Sequence, residues 1–131
     1  MLPILTKINE ECEYQPTIKE VRQWCGLLNE IVFEGKIPKF RDISIKHIPG
    51  QFAAVQPLMV IQTDKRACLL ELGARFKNFK FFITILAHEM IHCHQWMTIE
   101  MTPNHYRKTF FLWKQKLLDH GIELHVHYPR K

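Results

Sequence analysis

The stretch from Asn78 to about Met97 constrains the fold of this chain more than any other part of the sequence. Its apolar residues wrap most of a helix circumference instead of forming one stripe. They include Phe82, Ile83, Leu86, Met90 and Ile91. A helix that is apolar on most sides must be covered by other elements. The sequence therefore predicts a central core helix, with the rest of the chain packed around it.

Three segments before this helix carry weaker periodic patterns. Thr17 to Glu34 has apolar residues at spacings of three and four, which predicts an amphipathic helix. Phe40 to Ile48 and Leu58 to Gln62 have the composition of extended chain and predict two neighbouring strands. Arg66 to Phe76 suits a helix or a strand equally, and we interpret it as a connecting segment.

A stripe of large apolar residues follows the core helix and predicts a third helix that ends before Gly121. The stripe consists of Tyr106, Phe110, Trp113 and Leu117. The tail from Ile122 to Tyr128 alternates like a half-buried strand. This order of elements predicts an α+β fold, with about three main helices packed on a small, mostly antiparallel sheet. Because the chain has 131 residues, we expect one domain over 1–131.

Composition narrows the classes of protein that remain. The chain has 18 Lys and Arg against 13 Asp and Glu, and its formal charge of +5 is a weak indication of polyanion binding. The four cysteines form no C-x-x-C pair, which argues against a zinc ribbon or a disulfide framework and favours a reducing compartment. Without a signal peptide or a membrane-spanning stretch, the sequence predicts a cytoplasmic protein that does not enter a membrane, and we expect a monomer.

The core helix contains the motif His-Glu-x-x-His at His88, Glu89 and His92. At about 100° per residue, His92 lies roughly 40° around the helix from His88 and one turn along it. Both imidazoles can therefore bind one zinc ion. Glu89 lies about 60° beyond His92, where its carboxylate can act as a general base on a water held by the metal. Hydrolysis of a peptide bond is the reaction that this division of roles suits.

The alternative interpretation treats these histidines as ordinary polar residues of a helix surface. It is disfavoured because His88 and His92 lie within an otherwise apolar helix, where imidazoles without partners are costly to bury. His94 is a poor ligand candidate, since its offset of two residues turns it roughly 160° away from His92.

Catalytic zinc usually has three protein ligands and one open position. His105, thirteen residues after His92, begins the next predicted helix, and a helical hairpin would fold it back over the metal. A solvated histidine at a helix start is the alternative. Other downstream donors are Glu100, Glu123, His125 and His127. The glutamates lack a convincing helical context, and the two histidines share a strand face on which exposure is the commoner explanation.

Several segments together resemble the SprT-like zinc metallopeptidases. They are the segment 28–38 that ends the first helix, the motif segment 86–92, and the segment from Asn104-His105 through Trp113 to Gly121. The similarity extends over roughly Thr17 to Tyr128 and so covers the protease core, without the C-terminal zinc ribbon of many members. The sequence departs from the family pattern at Tyr106, where glycine is usual, and at Thr109, where an aromatic residue is expected.

The resemblance implies a zincin-like metalloprotease core that binds one catalytic Zn²⁺ through His88, His92 and His105, with Glu89 as the catalytic residue. It implies an endopeptidase whose protein or peptide substrate lies beside an edge strand, for which we expect Leu58 to Gln62. Some members act on proteins crosslinked to DNA, so DNA, especially single-stranded DNA, is a further expected partner. The alternative is a noncatalytic nucleic-acid-binding module with a structural zinc site.

Basic and aromatic residues are available for contacts with nucleic acid. The basic candidates are Arg75, Lys77, Lys80, Arg107, Lys108, Lys114 and Lys116. Trp96 or Trp113 could stack on exposed bases. The competing interpretation, solvated helix faces and core tryptophans, is favoured.

Overall fold

The computed structural model describes residues 12–48, 52–60, 65–98 and 108–125. In chain order its elements are α1 (Ile18–Ile31), β1 (Asp42–Ile45), β2 (Ala53–Val60), β3 (Lys65–Leu72), α2 (Phe79–Met97), a 3₁₀ helix (Lys108–Phe111) and α3 (Lys114–Asp119). The predicted α+β class is confirmed, with three α-helices and one three-stranded mixed sheet. Within the described ranges, no helix has the length and apolar character needed to cross a membrane.

The first predicted helix is confirmed as α1, and a capping box fixes its start. The Thr17 hydroxyl accepts a hydrogen bond from the backbone N–H of Glu20, while the Glu20 carboxylate accepts one from the N–H of Thr17. After the helix, Glu34 and Gly35 adopt left-handed backbone with φ of 57° and 73°. The helix ends at Ile31, three residues before the predicted end at Glu34.

The interpretation of Arg66 to Phe76 as a connecting segment is wrong, because most of it forms β3. This strand is the centre of the sheet, in the order β1-β3-β2. The predicted pairing of the first two strands is therefore also wrong. The strand carries Ala67 and Leu69 at half-buried positions next to its buried residues, so its sequence lacks a clean alternation of apolar and polar residues. The strand ends at Leu72 and is followed by Gly73, where an added Cβ would lie 3.3 Å from the Phe52 carbonyl oxygen.

The sheet is mixed, with eight antiparallel and four parallel residue pairs, so the predicted mostly antiparallel sheet is correct in part. β2 pairs antiparallel with β3, whereas β1 pairs parallel with β3. The Gly73 N–H donates to the Phe52 carbonyl at 2.8 Å, so this pair is hydrogen-bonded. Because such pairs alternate, the backbone groups of Val55, Pro57 and Met59 point away from β3. Pro57 thus occupies an edge position where the missing N–H breaks no bond within the sheet.

The central helix predicted from Asn78 to Met97 is confirmed as α2, which begins at Phe79. The Asn78 side chain accepts a hydrogen bond from the Phe81 N–H at 2.7 Å and caps the helix. Every residue from Phe81 to Gln95 is buried, as expected for an element covered on several sides. The helix contacts β2 and β3 on one side and α1 and the 3₁₀ helix on others.

The third predicted helix is not continuous over the residues that the structure describes. The 3₁₀ helix and α3 replace it, although Phe110, Trp113 and Leu117 are buried as the stripe predicted. Of the tail predicted as a strand, residues 122–125 are not in a strand, and the remainder lies outside the described residues.

The cysteines differ in exposure, and this predicts their order of alkylation. Burial raises the pKa of the Cys25 thiol from 9.0 to about 12, against a smaller opposing effect of the Arg22 guanidinium. At pH 8 this shift lowers the thiolate fraction about a thousandfold relative to the unfolded chain. Because Cys12 is exposed whereas Cys68 and Cys93 are buried, iodoacetamide should modify Cys12 first in the native protein. Mass spectrometry of a time course checks this, and equal rates for Cys12 and Cys25 would contradict it.

Candidate metal centre

His88 and His92 lie side by side on α2, as the helical spacing predicts. Their ring centroids are 4.9 Å apart and their planes are nearly perpendicular, at 81°. Both side chains are buried, with 6% and 7% of their surface exposed. The two imidazoles therefore share a protected position inside the fold and do not extend into solvent.

Phe110 of the 3₁₀ helix packs against both imidazoles. Its ring centroid lies 5.0 Å from that of His88 in an edge-to-face contact and 5.4 Å from that of His92 in a stacked contact. Phe110 is itself fully buried. This aromatic side chain restricts the orientation of both histidines from an element outside α2.

His92 also contacts a polar side chain one turn along the same helix. Its Nδ1 lies 2.9 Å from Oε1 of Gln95. The Gln95 amide nitrogen donates to the Thr109 hydroxyl at 3.0 Å. This amide orientation makes Nδ1 the donor, because the amide oxygen can only accept. The lone pair of the neutral imidazole then lies on Nε2.

Glu89 lies on the same helix between the two histidines and is 7% exposed. Desolvation by burial raises the pKa of its carboxyl to about 8. A cation bound by the neighbouring imidazoles would lower this pKa again, because positive charge stabilises the carboxylate. In the metal-free protein this carboxyl group therefore binds a proton more readily than an ordinary glutamate does.

The residues present fit a zinc ion in ligand type and in arrangement. Two imidazoles at adjacent turns are nitrogen donors of the kind that zinc accepts, and the contact with Gln95 leaves Nε2 of His92 as the nitrogen that would bind a metal. The part of the chain that the structure describes contains no group of three or more His, Cys, Asp or Glu side chains suited to a metal. His105, the predicted third ligand, lies outside the described residues, as does His127.

Three other described histidines have different surroundings. His94 is buried against Trp113, with ring centroids 5.9 Å apart, and burial lowers its pKa. This agrees with the expectation that it turns away from the metal face. His125 lies 3.6 Å from Glu123 near the end of the described chain, and His47 is exposed.

The tryptophans proposed for base stacking already have protein partners. Trp113 is buried and meets Phe33 edge to face at 5.5 Å, which agrees with the favoured core interpretation. The indole N–H of Trp96 donates to the carbonyl oxygens of Leu58 and Ala67. The Arg66 guanidinium lies over the Trp96 ring at 4.1 Å. The indole N–H and one ring face of Trp96, and the buried ring of Trp113, are thus engaged within the protein.

Three residues around the histidine pair were not predicted as part of the site: Gln95, Thr109 and Phe110. Gln95 stands three residues after His92, a spacing that brings side chains together on a helix and that could have indicated the contact. Thr109 and Phe110 reach the site through tertiary packing, for which the local sequence gives no signal. Comparison of the chain with protein-family models, with curated proteins and with solved structures finds no match.

Proposed function

We propose that this chain is a zinc-dependent endopeptidase of the SprT type, with a zincin-like core. The observation that carries the proposal is the pair of buried imidazoles, 4.9 Å apart, with Glu89 between them in a His-Glu-x-x-His sequence. A purely structural zinc site has no need of that carboxylate. Glu89 therefore favours the enzyme over a nucleic-acid-binding module with a structural zinc.

The proposed mechanism divides the work among three residues of α2 and His105. His88, His92 and His105 would hold the metal through neutral imidazole nitrogens. Zinc, when bound, polarises the substrate carbonyl and lowers the pKa of a water molecule toward neutrality. Glu89 accepts a proton from the attacking water as the new C–O bond forms. It then delivers that proton to the leaving amine nitrogen as the peptide bond breaks.

The exposed edge of strand β2 is the surface on which we expect an extended substrate to pair. Val55 and Met59 present outward N–H and C=O groups, which an added peptide strand would pair with. The Leu58 carbonyl accepts from Trp96, which follows His92 by one helical turn, so this edge is tied to the α2 segment that carries the motif. Of the expected edge from Leu58 to Gln62, residues 61 and 62 lie outside the described residues.

Metal removal and return test the proposal. The purified chain with Zn²⁺ should cleave an unfolded basic protein, and a chelator should stop the cleavage until zinc is restored. Reactions with and without single-stranded DNA show whether DNA, an expected partner, stimulates the activity. Binding of DNA and zinc without cleavage in any reaction would instead support the nucleic-acid-binding alternative.

Ligand variants connect the activity to the centre. His88→Ala, His92→Ala and His105→Ala should each reduce bound zinc, measured by elemental analysis, and abolish cleavage. His47→Ala is the matched control, because His47 is exposed on the segment after β1. Full zinc content in His105→Ala would eliminate His105 as the third ligand.

A further inference from the structure

Gln95 is a polar side chain with no exposed surface, buried in the core helix beside His92. Burying an amide costs free energy unless its donor and acceptor groups find partners. A leucine at this position would fill a similar volume without that cost. The polar residue therefore needs an explanation beyond packing.

The contacts of Gln95 form a directed chain from the imidazole to a second element. Its Oε1 lies 2.9 Å from Nδ1 of His92, and its Nε2 donates to Thr109 Oγ1 at 3.0 Å. The hydroxyl of Thr109 accepts this bond, and the amide lies with Oε1 toward the ring. The 3₁₀ helix thereby anchors the orientation of a side chain on α2.

We propose that Gln95 is a positioning residue for the zinc site, which selects the Nδ1–H tautomer of His92 and is itself held by Thr109. This inference rests on the proposed zinc site but does not depend on proteolysis. A hydrogen bond at Nδ1 fixes the ring orientation and makes Nε2 a better ligand. The departure from the family pattern at Thr109 thus has a specific structural role.

Zinc affinity, measured by competition with a chromophoric chelator, tests the proposal. Gln95→Leu should weaken binding about 10- to 100-fold, the range for lost outer partners of metal-bound histidines. Gln95→Glu should recover most of the affinity, because a carboxylate also accepts from Nδ1–H. Gln115→Leu is the matched control: the Gln115 amide donates to Asp119 on α3, away from the centre, and its loss should not change affinity.

Thr109→Val provides a second variant that leaves Gln95 in place, and it should weaken zinc binding severalfold. If Thr109 acts on His92 only through Gln95, the double variant Gln95→Leu/Thr109→Val should bind zinc no more weakly than Gln95→Leu alone. Fully additive losses would show that Gln95 and Thr109 do not act on His92 through one series of hydrogen bonds. Thermal melts of the metal-free variants verify that each is folded.

Nitrogen-15 NMR of the metal-free protein gives a readout that does not require zinc. At about pH 8, where a histidine of ordinary pKa is neutral, His92 should show the Nδ1–H tautomer, and Gln95→Leu should abolish that preference. The Nε2–H tautomer in the wild type, or unchanged zinc affinity in Gln95→Leu, would overturn the proposal. A wild type that binds zinc without cleaving protein would refute the endopeptidase and leave this test intact.

Discussion

Replacing Glu89 with glutamine is expected to lower kcat/KM for protein cleavage by at least about a hundredfold while zinc remains bound. The substitution keeps the size of the side chain but removes its ability to accept the proton of the attacking water. Zinc content should not change, because the imidazoles and not Glu89 are the proposed ligands. Parallel cleavage assays and elemental analysis of the same preparations measure both quantities.

The matched control for this result is Glu30→Gln. Glu30 is exposed on α1, so the same chemical change there should leave cleavage and zinc content at wild-type values. Wild-type cleavage by zinc-loaded Glu89→Gln would show that the chain does not use this carboxylate as a base.

Replacing Phe110 with alanine is expected to destabilise the metal-free protein by about 3–5 kcal/mol. Phe110 is fully buried, and its ring contacts both His88 and His92. Removing the ring leaves a cavity beside the imidazoles, so zinc affinity should fall together with stability. Urea denaturation of the metal-free protein measures the free energy of unfolding.

Leu112→Ala gives the comparison for Phe110→Ala, because it removes apolar atoms from the same chain segment at a side chain that is 57% exposed. Its effect should remain within about 0.5 kcal/mol. A loss below about 1 kcal/mol in Phe110→Ala would mean that the pocket collapses around the missing ring, and the role assigned to Phe110 would have to be abandoned.

The parts of the fold predicted from sequence are those in which a local pattern is also the reason for the structure. α2 is apolar around its circumference and begins directly after Asn78, whose side chain caps it. α1 combines helical periodicity with a Thr17–Glu20 capping box. Both signals act within a few residues of the element that they specify.

β3 could not be identified from the sequence, because which of its residues are buried depends on the strands and the helix that pack against it. Strands lie on both of its edges and α2 contacts it, so Cys68, Leu70 and Leu72 are buried while the residues between them are half-buried. This weak contrast gives no clean alternation, and Gly73 suggested an interruption instead of a strand end. The location of β3 depends on long-range pairing that no local window contains.

The candidate site, like the fold, has one part that local sequence predicts and another that only tertiary packing produces. The spacing of His88, Glu89 and His92 follows from helix geometry alone, and the structure brings the two imidazoles together as expected. Thr109 reaches Gln95 across fourteen positions of sequence, which only the packing of the 3₁₀ helix on α2 achieves. His105 lies outside the described residues and stays a prediction.

Pro57 limits what the exposed edge of β2 can pair with. Between the outward N–H groups of Val55 and Met59, Pro57 offers a carbonyl but no donor. A peptide lying on this edge can therefore form only a short, interrupted ladder, whereas uninterrupted growth of a sheet needs a donor at every second residue. The same strand that is suited to a transient extended chain thus resists edge-to-edge aggregation between copies of the protein.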